Sequence, residues 1–190
     1  MLRSTKYLIG LIGRVNDFIG AAVSWLTIIL VLVVVAIVVT RYFLHIGSIA
    51  LQESVTYLHA TIFMLGIAYT MRHDGHVRVD IFYRQFSPRH KALVNIFGGI
   101  LFLIPVSILI VYSSWEYAMA SWSIAERSVE NNGLPFVYLL KMLILVMPMT
   151  LITQGIADIL QNLFLLNGLS TPNVSDSVVN STDQKESDAQ

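Results

Sequence analysis

Phe18 to Thr40 is a run of 23 residues without one charged side chain. As a helix rising about 1.5 Å per residue it measures about 34 Å, enough to cross a hydrocarbon layer about 30 Å thick. A helix that is apolar on every side needs either the core of a large protein or lipid around it. With 190 residues, 55% of them hydrophobic and only 13% charged, the chain has no soluble shell in which to hide such a helix. The run is too long for the apolar region of a cleaved signal. Val38-Val39-Thr40-Arg41 also lacks a small-x-small exit, so the run is read as a retained span.

Three more candidates follow the first. Leu51 to Met71 is apolar except for Gln52, Glu53 and His59. Leu93 to about Ala120 is apolar up to Glu116, and Val137 to about Leu160 is interrupted only by Lys141 and Asp158. The expected fold is an all-α integral membrane protein with four spans at about 18–41, 51–71, 93–120 and 136–160, inside a membrane domain of 18–169. Residues 1–17 mix Leu, Ile and Tyr with Arg and Lys, as an interfacial helix or a basic cytoplasmic flank would. Residues 170–190 are polar without aromatics and are expected to be a disordered cytoplasmic tail. No cysteine is present, which excludes disulfide exchange, thiol catalysis and cysteine-held haem or metal.

Basic residues orient the spans. Arg3, Lys6 and Arg14 precede span one, and Arg72, Arg78, Arg84, Arg89 and Lys91 lie between spans two and three. The other two loops hold Arg41, Arg127 and, at the edge of span four, Lys141. The positive-inside rule then puts both termini and the middle loop in the cytoplasm. That loop opens with the polar string Arg72-His73-Asp74-Gly75-His76-Val77-Arg78-Val79-Asp80. From Arg78 to Phe86 apolar and polar residues alternate in a way that suits a short amphipathic helix on the cytoplasmic surface. Pro105 and Pro148 fall mid-span, where neighbouring helices must cover the freed carbonyls.

Few residues carry candidate chemistry. Glu53 and Arg41 face each other across the first outer loop, and Tyr57 continues the Glu53 helix face. Glu53 is either a proton or ion site or one half of an anchoring pair with Arg41. His59 lies deeper in span two; a proton relay or haem ligand is one reading, a hydrogen bond to a neighbouring helix the other. His73, His76, Asp74 and Asp80 show no spacing specific to a metal and read better as a cap on span two. Lys141 either snorkels or bridges to Glu116, Glu126 or Glu130. Glu126, Arg127 and Glu130 form an outward cluster able to dock a periplasmic partner. No catalytic triad, phosphate loop or nucleic-acid signature occurs, so no catalytic, cofactor-binding or metal-binding residue is assigned.

Several strings resemble a known family, the small membrane subunit of tripartite ATP-independent periplasmic (TRAP) transporters, the DctQ family. They are Arg41-Tyr42-Phe43, Leu51-Gln52-Glu53 with Tyr57-Leu58, Leu65-Gly66-Ile67-Ala68-Tyr69, His76-Val77-Arg78-Val79-Asp80, Gly133-Leu134-Pro135 with Lys141, and Gln154-Gly155. The resemblance covers roughly Arg14 to Gly168; it departs at Ile49-Ala50-Leu51, where many members have a tryptophan just before the glutamate. It implies four membrane helices that pair with a larger, roughly twelve-helix subunit carrying the substrate and sodium sites, and a periplasmic protein that delivers substrate. It also implies the bacterial inner membrane, ion-coupled symport, and Arg41, Glu53, Tyr57, His76, Arg78, Asp80 and Lys141 as interface or anchoring residues. Leu51-Gln52-Glu53 and Tyr57-Leu58-His59-Ala60 are similar to a subgroup associated with 2-oxo acids and other organic acids. The alternative is a self-sufficient four-helix transporter with Glu53 as its proton site. A four-helix redox protein is a third option, disfavoured by the missing histidine pairs and cysteines.

Overall fold

A computed structural model describes residues 2–73, 75 and 86–168. Within them every regular element is a helix: α1 (Leu2–Tyr42), α2 (Ile49–Arg72), α3 (Pro88–Gly98), a π-helical turn (Gly99–Leu103), α4 (Ile104–Ser123) and α5 (Val137–Leu166). The third span is one rod made of α3, the π turn and α4, so four rods are long and apolar enough to cross a membrane. These are the four expected spans, each longer than its hydrophobic stretch because the helices run on through their polar ends. The surface helix expected over 78–86 and the tail expected over 170–190 lie outside the described residues, Phe86 apart.

The N-terminal segment is helical but not separate. It continues into span one as a single 41-residue helix, about 61 Å long and twice the thickness of a hydrocarbon core. Its buried positions, Ile9, Gly13, Asn16, Gly20 and Val23, recur at intervals of four and three and form one narrow seam. Two glycines let α2 come close along it. A Cβ at Gly13 would overlap the Arg72 guanidinium, and one at Gly20 would overlap the Tyr69 ring.

In space the rods form the row span one, span two, span four, span three. α2 packs between α1 and α5, and α5 packs on the third span as well and more lightly on α1. The central place of α5 shows in its buried residues, Leu145, Pro148, Leu151, Gln154, Gly155 and Ala157, which spread over a broad arc rather than one seam. The two mid-span prolines are handled differently. Pro105 follows directly on the π turn, in which the Ile104 N–H bonds Gly99 O five residues back. The wider turn makes room for the proline ring and its missing donor. Pro148 is fully buried inside α5.

Local sequence sets the rod ends. Ser48 caps α2 by accepting from the Leu51 N–H at 3.4 Å, and Ser87 caps α3 ahead of Pro88 at the first position. Pro135 falls just short of the first turn of span four, because Phe136 is the cap and the helix begins at Val137.

Candidate functional site

Polar side chains gather at the two ends of this bundle. At one end Glu53, in the second turn of α2, reaches the connection that joins the third span to α5. One carboxylate oxygen accepts from the Ser128 hydroxyl, and the other accepts from the Leu134 N–H at 2.6 Å. The loop is shaped to deliver both donors. Asn132 is in the left-handed region at φ 68°, the Gly133 N–H bonds Glu130 O at 3.0 Å, and the Ser128 N–H bonds Leu134 O at 3.2 Å. Gly133 lies so close that a Cβ there would overlap the Ser128 side chain and come within 2.8 Å of the Glu53 carboxylate.

A second clasp stands beside the first. Lys141 Nζ donates to Glu126 Oε2 at 2.5 Å and sits 4.1 Å above the Tyr117 ring. That hydrogen bond from Lys141 holds the Glu126 carboxyl below its ordinary value of 4.5. Trp122 meets Tyr138 edge to face at 5.3 Å, which ties α4 to the start of α5 at the same level.

The anchoring partner of Glu53 therefore differs from the expected one. Arg41 is exposed at the end of α1, and no ion pair joins it to Glu53 among the described residues. The ladder of loop donors satisfies the carboxylate instead, which a search for opposite charges overlooks. Tyr57 lies one turn further along, with its hydroxyl enclosed and without a hydrogen-bond partner among the described residues. His59 makes no hydrogen bond to a neighbouring helix among the described residues. It is exposed and stacks near Phe63 at 6.5 Å. Of the outward trio, Glu126 is taken by Lys141, while Arg127 and Glu130 are exposed. His76, Arg78 and Asp80 lie outside the described residues.

At the other end the polar groups join helices rather than a loop. Asn16 Nδ2 donates to Gln154 Oε1 at 2.6 Å, and Gln154 Nε2 donates to Asp158 Oδ1 at 2.7 Å. Asn16 is 4% exposed and Gln154 fully enclosed, so this chain of amides is deep in the packing of α1 on α5. Next to it Arg72 Nε bonds Asp17 Oδ1 at 3.1 Å, which fastens the end of α2 to α1. Asn95 Nδ2 approaches Asn162 Oδ1 at 3.4 Å, between α3 and α5. A cleft of about 400 Å³ opens between α3 and α5, lined among others by Arg72, Asn95, Asp158 and Asn162. At the end of span two the His73 ring packs on Tyr69 at 4.2 Å, its Nδ1 lies 3.0 Å from Tyr69 O, and the Gly75 N–H bonds Thr70 O, while Asp74, His76 and Asp80 of the expected cap lie outside the described residues.

The amide chain through Gln154 is a feature the sequence pattern alone did not single out. A signal is present, since Gln154, Asp158 and Asn162 recur every fourth residue and so share one face of the last helix. Among the described residues no group of three or more His, Asp or Glu is placed to share a metal ion.

Four apolar rods joined through an enclosed chain of polar side chains, with charges collected at the two ends, define a small multi-pass membrane protein. A family model, the DctQ component of tripartite ATP-independent periplasmic transporters, matches residues 30–165. The chain belongs to that family, and so is a small membrane component of a transporter of the bacterial inner membrane. The family is one of transport proteins and not of enzymes. Comparison with curated proteins and with solved structures gives no match.

Proposed function

We propose that this chain is the scaffold subunit of a secondary, sodium-coupled importer of organic acids. It pairs with a large membrane subunit and works with a periplasmic substrate-binding protein. The carrying observation is that the polar chain Asn16–Gln154–Asp158, enclosed among the spans, holds the chain's own helices together. Substrate and ion sites then belong to the larger subunit. The basic bias of Arg3, Lys6, Arg14, Arg72, Arg89 and Lys91 supports placing the Arg72 end in the cytoplasm and the Glu53 end in the periplasm. In that orientation the exposed Arg127 and Glu130 face the compartment of the binding protein. Glu53 as a free-standing proton site is less well supported, because both its carboxylate oxygens accept hydrogen bonds from the chain's own loop.

The test is affinity purification of the tagged chain from its native membrane in mild detergent, followed by reconstitution. A larger membrane protein co-elutes, and liposomes take up substrate only when both membrane proteins and the binding protein are supplied. Uptake by liposomes holding this chain alone would overturn the reading.

A further inference from the structure

The outward faces of the rods differ in kind. From Leu93 to Leu109 the exposed residues of the third span are all apolar, as lipid requires. On α1 the exposed face carries Trp25, Ile28, Leu32 and Val35, and the hydroxyls beside them turn back on their own helix: Ser24 donates to Gly20 O and Thr27 to Val23 O. Such back-bonding is how a hydroxyl is tolerated in hydrocarbon.

The exposed face of α2 breaks that pattern. Its exposed residues beyond Leu51 are Gln52, Thr56, His59 and Phe63, spaced four, three and four apart on one line, and three of the four are polar. Thr61 and Thr70 on the same helix bond their own backbone, but Gln52, Thr56 and His59 make no side-chain hydrogen bond among the described residues. His59 lies ten residues in from the helix start, which is about 15 Å of rise and close to mid-membrane. An unbonded imidazole facing lipid at that depth, with an unbonded hydroxyl and amide on the same line toward the membrane edge, is costly, and in membrane proteins such groups face protein.

Both ends of the line are concave. Beside Gln52 and Thr56 a pocket of about 400 Å³ is lined by Glu53 and Glu130, so it is acidic. Beyond Phe63 a cleft of about 550 Å³ runs between α1 and α2 past Gly20, Val23 and Gly66, where small residues let a further helix approach closely.

We infer that this line on α2 is the docking seam for a transmembrane helix of the larger subunit. That helix carries a lysine or arginine that enters the Glu53–Glu130 pocket, and hydrogen-bonding side chains at the depth of Thr56 and His59. The charge of the pocket selects a basic group, and the unbonded polar line selects a polar helix over lipid. The inference rests on the subunit reading above and adds to it the face that is used.

The test is photo-crosslinking in membranes that contain the whole transporter. A photo-activatable phenylalanine analogue is placed at Thr56, His59 or Phe63, with Leu32 and Leu109, each 62% exposed on the other rods, as controls. Crosslinks to the larger subunit are expected from the three α2 positions at a yield about tenfold above the controls, which corresponds to occupied against incidental contact. Glu130→Lys is expected to lower that yield about tenfold by setting like charges against each other, without moving the Tm of the isolated chain. If the larger subunit co-elutes but His59 gives only lipid adducts, or a dimer of this chain, the seam is wrong and the subunit reading stands. If no larger subunit co-elutes with the unaltered chain, the subunit reading itself fails and the seam with it. An unchanged crosslink yield in Glu130→Lys would remove the acidic pocket from the seam.

Discussion

The two ends of the bundle solve different problems with different polar groups. At the Glu53 end, charged side chains lie near the membrane edge and pin a loop: Glu53 to Ser128 and Leu134, Lys141 to Glu126. At the Arg72 end, the amides of Asn16 and Gln154 inside the packing pin helices to one another down to the Asp158 carboxylate, with the Arg72–Asp17 ion pair alongside. Near water a charge keeps part of its hydration and a partner is easily found, whereas deep in the packing an amide avoids the desolvation penalty of a full charge. The contrast predicts that damage at the amide end loosens the bundle, while damage at the charged end loosens one connection.

The sharpest way to break the comparison is Gln154→Ala. It takes the Gln154 amide away from Asn16 Nδ2 and from Asp158 Oδ1 and opens a void where Gln154 is fully enclosed. A loss of about 2–4 kcal/mol is expected, read as a lower Tm in detergent. A loss well under that would mean that the amide chain is not what binds α1 to α5.

Glu53→Gln comes next. The amide can still accept from one donor but sets an NH2 against the other, so about 1–2 kcal/mol is expected, together with faster proteolysis of the loop over 124–136. Unchanged stability with abolished transport would turn Glu53 back into an ion site. Tyr57→Phe is expected to be neutral or to stabilise by up to about 1 kcal/mol, since it removes an enclosed hydroxyl that has no partner among the described residues. Destabilisation by thermal unfolding would show that the hydroxyl is bonded after all.

The smallest effect belongs to the Lys141–Glu126 pair, which solvent screens. A carboxyl held below its ordinary value of 4.5 stabilises the folded form above that value, and the contribution disappears as pH falls through the depressed value. The Tm gap between the natural chain and Glu126→Gln is therefore small near neutrality and closes on acidification. A gap that widened in acid would reverse the sign.

Much of the fold is legible in the residues themselves. The uncharged run from Phe18 and the three later spans all appear as helices long and apolar enough to cross a membrane. Local pattern succeeds here because a helix in lipid must satisfy its own backbone and needs only apolar length. Partner choice is less legible. Arg41 and Glu53 look like a pair because each is the obvious opposite charge, yet the Glu53 carboxylate takes a hydroxyl and a backbone N–H. The backbone donor has no signature in sequence, since every residue but proline has one. His59 gives no sign of whether it faces a neighbour, for its helix is polar on more than one side.

The sequence alone settled how many times the chain crosses the membrane, because that depends on apolar length, a one-dimensional property. It also held the strings by which the family is known. Which rod stands in the middle, which amides meet across 138 residues of chain, and which polar face is left uncovered were decided only by the tertiary arrangement. Those are questions of which side of a helix faces which neighbour, and no single helix carries that information in its own residues.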